Sequence, residues 1–115
     1  MPYYTHVGLR LWYECDGDGP AVLLLHGIGA SARDWDFQLP ALLPGHTVIR
    51  LDLRGHGRSD SRGLYTIEDM ASDAAALLEQ FGPEPAHVIG HSLGGAVALA
   101  LALGRPGAVR SLTLA

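Results

Sequence analysis

The chain has 115 residues, of which 48% are hydrophobic and 17% are charged. This composition suits one globular domain with a buried core and excludes a disordered tail. Twelve acidic residues against eight basic ones give a formal net charge of -4, and the basic residues are single, scattered arginines. Such a distribution excludes the basic stripe of a nucleic-acid-binding surface.

The N-terminal sequence, the length of the apolar runs and the single cysteine indicate a cellular location. The N-terminus lacks a basic segment followed by an apolar one, and no apolar run is long enough to span a bilayer, so we expect neither a signal peptide nor a membrane partner. Cys15 is the only cysteine, which excludes an intrachain disulfide and favours a cytoplasmic location.

Several segments have the composition of β-strands. Residues 3–6 and 9–14 are short runs rich in aromatic and β-forming residues, and they predict a hairpin. Residues 21–26, AVLLLH, form a continuous apolar run closed by glycines, which is typical of a strand buried on both faces of a parallel sheet. The same pattern recurs at three later places, which are residues 47–53, 87–90 and 111–115.

Segments of helical character separate these strands. Residues 34–43 place apolar side chains at helical spacing. Residues 67–81 carry one apolar stripe, with Thr66 as N-cap and Asp69 three residues later. Residues 93–103 contain no charge, which predicts a helix buried all round. Strands alternating with helices predict an α/β fold, in which a mostly parallel sheet has an N-terminal antiparallel hairpin and helices on both faces.

Residues 90–94, Gly-His-Ser-Leu-Gly, fit the pattern G-x-S-x-G between a predicted strand and a predicted helix. The turn is so tight that its two glycines approach without room for side chains, and it holds Ser92 in a strained conformation. The serine oxygen then projects at a helix N-terminus, where free N–H groups favour developing negative charge. The pattern predicts that Ser92 is a nucleophile.

Two further segments stand at matching places. Residues 26–29, HGIG, follow the first parallel strand, and residues 52–60, DLRGHGRSD, follow the next. Together with GHSLGG, they resemble in order and spacing the N-terminal half of an α/β-hydrolase fold enzyme with a serine nucleophile, from about residue 3 to the end. The resemblance implies that Ser92 is the catalytic nucleophile and that the backbone N–H groups of Ile28 and Leu93 form the oxyanion hole. Each such donor typically contributes about 3 to 4 kcal/mol.

Other polar residues near these motifs are interpreted as structural. His26 is expected to hydrogen-bond the loop that follows it, and His56 to fix its own loop. The resemblance implies that Asp52 anchors a loop rather than serving as a triad acid. His91 is next to Ser92 on a turn whose neighbours point different ways, so we do not expect it to be the base. No acidic partner is suggested for the histidines at strand ends, which are His6, His46 and His87. Trp35 is expected in the core or on the floor of a pocket.

A serine nucleophile needs a general base, and the base needs an orienting carboxylate. In this fold the three arrive in the order Ser, acid, His, yet no Asp, Glu or His follows Ser92. We therefore expect residues 1–115 to be the N-terminal portion of a single α/β-hydrolase domain, without its C-terminal strands, cap, triad acid and histidine. Alone, such a chain is expected to be inactive and to self-associate through exposed apolar surface.

The resemblance predicts, for the full-length protein, a serine hydrolase acting on a small-molecule carboxylic ester or lactone. No metal-ligand spacing and no GxGxxG motif is present, so no metal or other cofactor is implied. A serine at the elbow argues against the dehalogenase and epoxide hydrolase branches. It leaves esterases, lactonases, C–C bond hydrolases, aminopeptidases and haloperoxidases open. The alternative is a non-catalytic binding or receptor protein on the same scaffold, or a half-domain completed by another chain.

Overall fold

The computed structural model describes residues 2–115 as a six-stranded mixed sheet with helices on both faces. The strands are β1 (Tyr3–His6), β2 (Leu9–Gly17), β3 (Ala21–Leu25), β4 (Thr47–Leu51), β5 (Ala86–Gly90) and β6 (Val109–Leu114). The α-helices are α1 (Leu39–Leu42), α2 (Ile67–Glu79) and α3 (Leu93–Gly104), and two 3-10 turns span Ala32–Trp35 and Pro106–Ala108.

The strand order is β1-β2-β4-β3-β5-β6. The hairpin strand β2 pairs antiparallel with both β1 and β4, whereas β4, β3, β5 and β6 run parallel. From β3 the chain passes first to β4 on one side and later to β5 on the other. The carboxyl end of β3 is therefore a topological switch point, where open α/β sheets hold their ligands.

Alternating residues of the central strands supply two cores. Leu23 and Leu25 of β3 face α2 and α3 in the larger core, whereas Val22 and Leu24 face Trp35 on the opposite side. All four leucine and valine side chains are at most 3% exposed. Burial on both faces explains why β3 has a continuous apolar sequence rather than an alternating one.

Helix α2 begins as its sequence predicts. Asp69 N–H donates to the Thr66 hydroxyl (3.0 Å), and Thr66 N–H donates to the Asp69 carboxylate (2.8 Å). This reciprocal capping box satisfies two N–H groups that would otherwise lack partners at the helix start. The helix ends at Glu79, two residues before the end of the predicted segment.

Two helical predictions are wrong in detail. Residues 34–43 do not form one helix, because Pro40 has no N–H to donate and its ring crowds the preceding turn, so it is tolerated only in the first turn of α1. Helix α3 is not buried all round. It packs against the sheet through Val97 and Leu101, but Leu99 is 43% and Leu103 76% exposed, because no described element covers that side. None of the helices in residues 2–115 has the length and apolarity to cross a bilayer.

Candidate active site

Ser92 occupies the turn between β5 and α3. Its backbone has φ 55° and ψ -117°, a conformation that residues other than glycine rarely adopt. A Cβ at Gly90 would collide with the carbonyl oxygen of Gly94, and one at Gly94 would collide with that of Leu25. Both glycines are therefore required by backbone contact. Holding a serine at positive φ costs on the order of 1–3 kcal/mol, which the surrounding packing must offset.

Backbone hydrogen bonds fix this turn on both sides. His91 N–H donates to Leu25 O (3.0 Å), and Gly94 N–H donates to His91 O (2.9 Å). Ser92 N–H donates to Ala115 O (3.3 Å), at the end of β6. The turn is thus tied to β3 and β6, while the Ser92 side chain stays exposed at the carboxyl edge of the sheet.

The two predicted oxyanion donors lie on segments that meet at this serine. A Cβ at Gly27 would come 3.4 Å from the Ser92 Cβ, so the loop after β3 passes directly against the elbow. Within residues 2–115, no hydrogen bond satisfies the N–H of Ile28 or of Leu93. Two free backbone donors beside a projecting hydroxyl suit a developing oxyanion. Their assignment as the oxyanion hole stays a prediction.

His26 ties the loop after β3 to the loop after β4. Leu53 N–H donates to His26 Nε2 (2.9 Å), so the imidazole proton is on Nδ1, which donates to Gly27 O (2.7 Å). The side chain is 1% exposed, and burial lowers its pKa. Both ring nitrogens are occupied by backbone groups, which supports the prediction that His26 is structural.

Asp52, the first residue after β4, also links the loop after β3 to the loop after β4. Its carboxylate accepts from the backbone N–H of Ala32 (2.7 Å) and of Arg58 (2.9 Å), and the residue is 4% exposed. The Ser59 hydroxyl donates to Asp52 O (2.6 Å). Asp52 therefore anchors loops, as expected, and both of its carboxylate oxygens are used in doing so.

Four other histidines also contact structural partners. His56 lies 3.1 Å from Arg54 O through Nδ1, within its own loop. The expectation that His6 has no acidic neighbour is wrong, because its Nε2 is 2.9 Å from Ser72 Oγ and 3.9 Å from the Asp73 carboxylate. His46 bonds Leu42 O, and His87 bonds Ser111 Oγ.

A buried ion pair between Arg54 and Asp73 was not predicted from the sequence. Arg54 donates through Nε (2.9 Å) and Nη2 (2.8 Å) to the two carboxylate oxygens of Asp73, which is 1% exposed. The hydrogen bond to Asp73 raises the pKa of Arg54. Burial, followed by the charge of Asp73, raises the pKa of Tyr4, whose hydroxyl donates to Asp73 O (2.7 Å). The signal that the sequence offered for this pair was Asp73, an acidic residue among the buried apolar residues of α2.

A cavity of about 300 Å³ opens beside the serine turn. Trp35, as predicted, belongs both to the core and to the cavity wall. The remaining lining residues are His26, Gly27, Asp34, Gln38, His91 and Ala115. Within the described chain, no group of three His, Cys, Asp or Glu side chains is arranged to hold a metal ion. The Ser92 side chain makes no capping hydrogen bond to α3.

A family model described as alpha/beta hydrolase fold matches residues 20–115. A protein of Azorhizobium caulinodans assigned as the carbamate hydrolase RutD is 44% identical over 115 residues, which are 99% of this chain and 43% of that protein. A pimeloyl-[acyl-carrier protein] methyl ester esterase of Methylococcus capsulatus is 44% identical over 106 residues, 92% of this chain and 40% of that protein.

Solved structures agree with these relatives. The structure of Est816, an N-acyl homoserine lactone degrading enzyme, matches with a TM-score of 0.92 at 32% identity, covering 98% of this chain and 44% of that one. Epoxide hydrolases also share the fold. The sheet order, the strained serine turn and these matches together define a hydrolase scaffold. The chain belongs to the α/β-hydrolase fold family, and it spans less than half the length of the relatives named here.

Proposed function

We propose that the full-length protein is a cofactor-independent serine hydrolase that cleaves a small-molecule carboxylic ester or lactone. The observation that carries the proposal is Ser92, held at φ 55° at the start of α3, on a turn that meets the loop carrying Ile28. The N–H groups of Ile28 and Leu93 have no hydrogen-bond partner within residues 2–115. An esterase and a lactone-degrading enzyme among the similar proteins support the choice of substrate class.

The reaction that we propose uses this geometry. The Ser92 oxygen attacks the carbonyl carbon and passes its proton to a general base, while the carbonyl electron pair moves onto the oxygen. The N–H groups of Ile28 and Leu93 donate hydrogen bonds to the resulting oxyanion. When this intermediate collapses, the protonated base gives its proton to the leaving oxygen, so an alcohol departs and an acyl-serine remains. Water activated by the same base then releases the acid and restores Ser92.

The base and its carboxylate belong, in this proposal, to sequence outside these 115 residues. No Asp, Glu or His follows Ser92 in the chain. Both ring nitrogens of His26 and both carboxylate oxygens of Asp52 already hold loops. Residues 1–115 then form the N-terminal part of one catalytic domain, located in the cytoplasm, and have no significant turnover alone.

The test is hydrolysis of p-nitrophenyl butyrate and a simple lactone by the full-length protein and by Ser92→Ala. We expect turnover to fall by at least about 10³-fold in Ser92→Ala. Ser61→Ala, in an exposed loop, is the matched control and should keep full activity. A Ser92→Ala variant as active as the control would refute the proposal. A folded full-length protein that binds these compounds without hydrolysing them would instead support the receptor alternative.

A further inference from the structure

We propose that the cavity beside Ser92 selects substrates whose acyl part carries an ammonium or amide N–H group, and that Asp34 determines this selectivity. A carboxylate in the same part of the substrate is disfavoured. The inference rests on the proposed function of this site, since it names the substrate class that the hydrolase would take.

The backbone of Asp34 is fixed at the cavity. It lies in the 3-10 turn Ala32–Trp35, where Ser31 is the N-cap and accepts the Asp34 N–H at its carbonyl (3.0 Å). The following residue, Trp35, is anchored in the core. Asp34 is itself exposed and lines the cavity together with Gln38 and His91.

The carboxylate of Asp34 is available to a ligand. Within residues 2–115 it has neither a hydrogen-bond donor nor an ion-pair partner, whereas Asp36, two residues later, pairs with Arg50 at 2.6 Å. Asp34 is also near enough to His26 for its charge to act on the pKa of that buried ring. The carboxylate therefore remains unpaired, within residues 2–115, at the wall of the cavity.

The other lining residues that the structure describes do not compensate this charge. Among residues 2–115, no arginine lines the cavity, and the neighbouring Arg33 lines a separate cavity with Arg50 and Arg58. His26 donates its single ring proton to Gly27 O, and burial opposes its taking up a second. Among the described residues, Asp34 is thus a negative charge on the wall of the cavity beside the serine turn, with no arginine in the same wall.

This arrangement recognises a definite chemistry. An ionised carboxylate accepts hydrogen bonds from ammonium and amide N–H groups and repels another carboxylate. The Gln38 amide can accept from or donate to the same substituent. Trp35 presents an aromatic side chain, beside which a cation is favoured. The matching substrates are small esters or lactones with an amino or amido substituent on the acyl chain.

The experiment compares three p-nitrophenyl esters of equal acyl length with the full-length protein: 6-aminohexanoate, heptanoate and the half ester of heptanedioate. We expect kcat/KM to fall in that order. Asp34→Asn keeps the shape and removes the charge, so it should lower the ratio of the ammonium ester to the carboxylate ester about tenfold, through two opposite charge effects of about threefold each. The neutral ester reports any general loss of activity.

Asp36→Asn is the matched control, since it removes a nearby charge that already has Arg50 as partner. It should change the ratio by less than about twofold. Ser92-dependent hydrolysis with the same ratio in Asp34→Asn and the unaltered protein would overturn the inference alone. Hydrolysis that survives Ser92→Ala, or none in the unaltered protein, would overturn the proposed function and the inference with it.

Discussion

Asp52→Asn is the substitution that most directly tests how the site is held. Asp52 is 4% exposed and accepts two backbone N–H groups, from Ala32 (2.7 Å) and Arg58 (2.9 Å). An asparagine of the same shape can accept only one of them and points an N–H₂ group at the other. Losing a charge-assisted bond and leaving a buried donor unsatisfied should together lower the free energy of unfolding by about 3 kcal/mol.

The same change should also slow the chemistry. Ala32 follows the loop that carries Ile28, so releasing its N–H loosens one predicted oxyanion donor, and small displacements of such groups can cost about 10²-fold in rate. Urea unfolding and the rate of fluorophosphonate reaction at Ser92 measure the two effects. Asp18→Asn, in an exposed turn, is the control. A stability within about 0.5 kcal/mol of the control, with an unchanged labelling rate, would refute the role assigned to Asp52.

Three further predictions concern packing and pH. Gly94→Ala forces a Cβ into the carbonyl oxygens of Leu25 and His26 and should abolish folding or distort the elbow, whereas Gly104→Ala, which meets no atom within 4 Å, should be neutral or stabilising by up to about 1 kcal/mol. Circular dichroism melts distinguish the two. Arg54→Leu should cost about 3–5 kcal/mol because it removes both of the hydrogen bonds from Arg54 to the buried Asp73 carboxylate and leaves only His6, at 3.9 Å, beside that charge; adding Asp73→Leu should recover most of that loss in urea titrations. Burial lowers the pKa of His26 from its ordinary 6.5, so the unfolded chain takes up the proton at a higher pH than the folded one. The contribution of His26 to stability is therefore complete above pH 6.5 and is lost as the pH falls through the folded-state pKa. Between pH 6.5 and about pH 5, the free energy of unfolding should therefore fall less steeply in His26→Gln than in the unaltered protein. The same slope in both would contradict the assignment of His26 as a buried, neutral histidine.

Motifs whose meaning is local were readable from the sequence. The G-x-S-x-G motif is recognised from residues within two positions of the serine, and the Thr66 capping box joins two residues only three positions apart. Strand β3 was equally clear, because burial on both faces leaves it no polar position. The fold class and the positions of the strands around Ser92 therefore followed from sequence alone.

What the sequence did not predict depends on distant parts of the chain. The pair of Arg54 with Asp73 joins a loop to a helix 19 residues later, and the contact of His6 with Asp73 spans 67 residues of sequence between β1 and α2. The exposed face of α3 was misjudged because its composition reports apolarity but not which neighbours cover it. The interruption of the predicted helix at Pro40 is a different case, because the proline is visible in the sequence and proline breaks a helix interior whatever the apolar spacing around it.

The most direct test of the account is peptide mapping by mass spectrometry after the full-length protein reacts with a fluorophosphonate. The account predicts one covalent adduct, on the peptide that contains Ser92, which disappears in Ser92→Ala and persists in Ser61→Ala. An adduct on another residue, or none on folded protein that hydrolyses esters, would contradict Ser92 as the nucleophile.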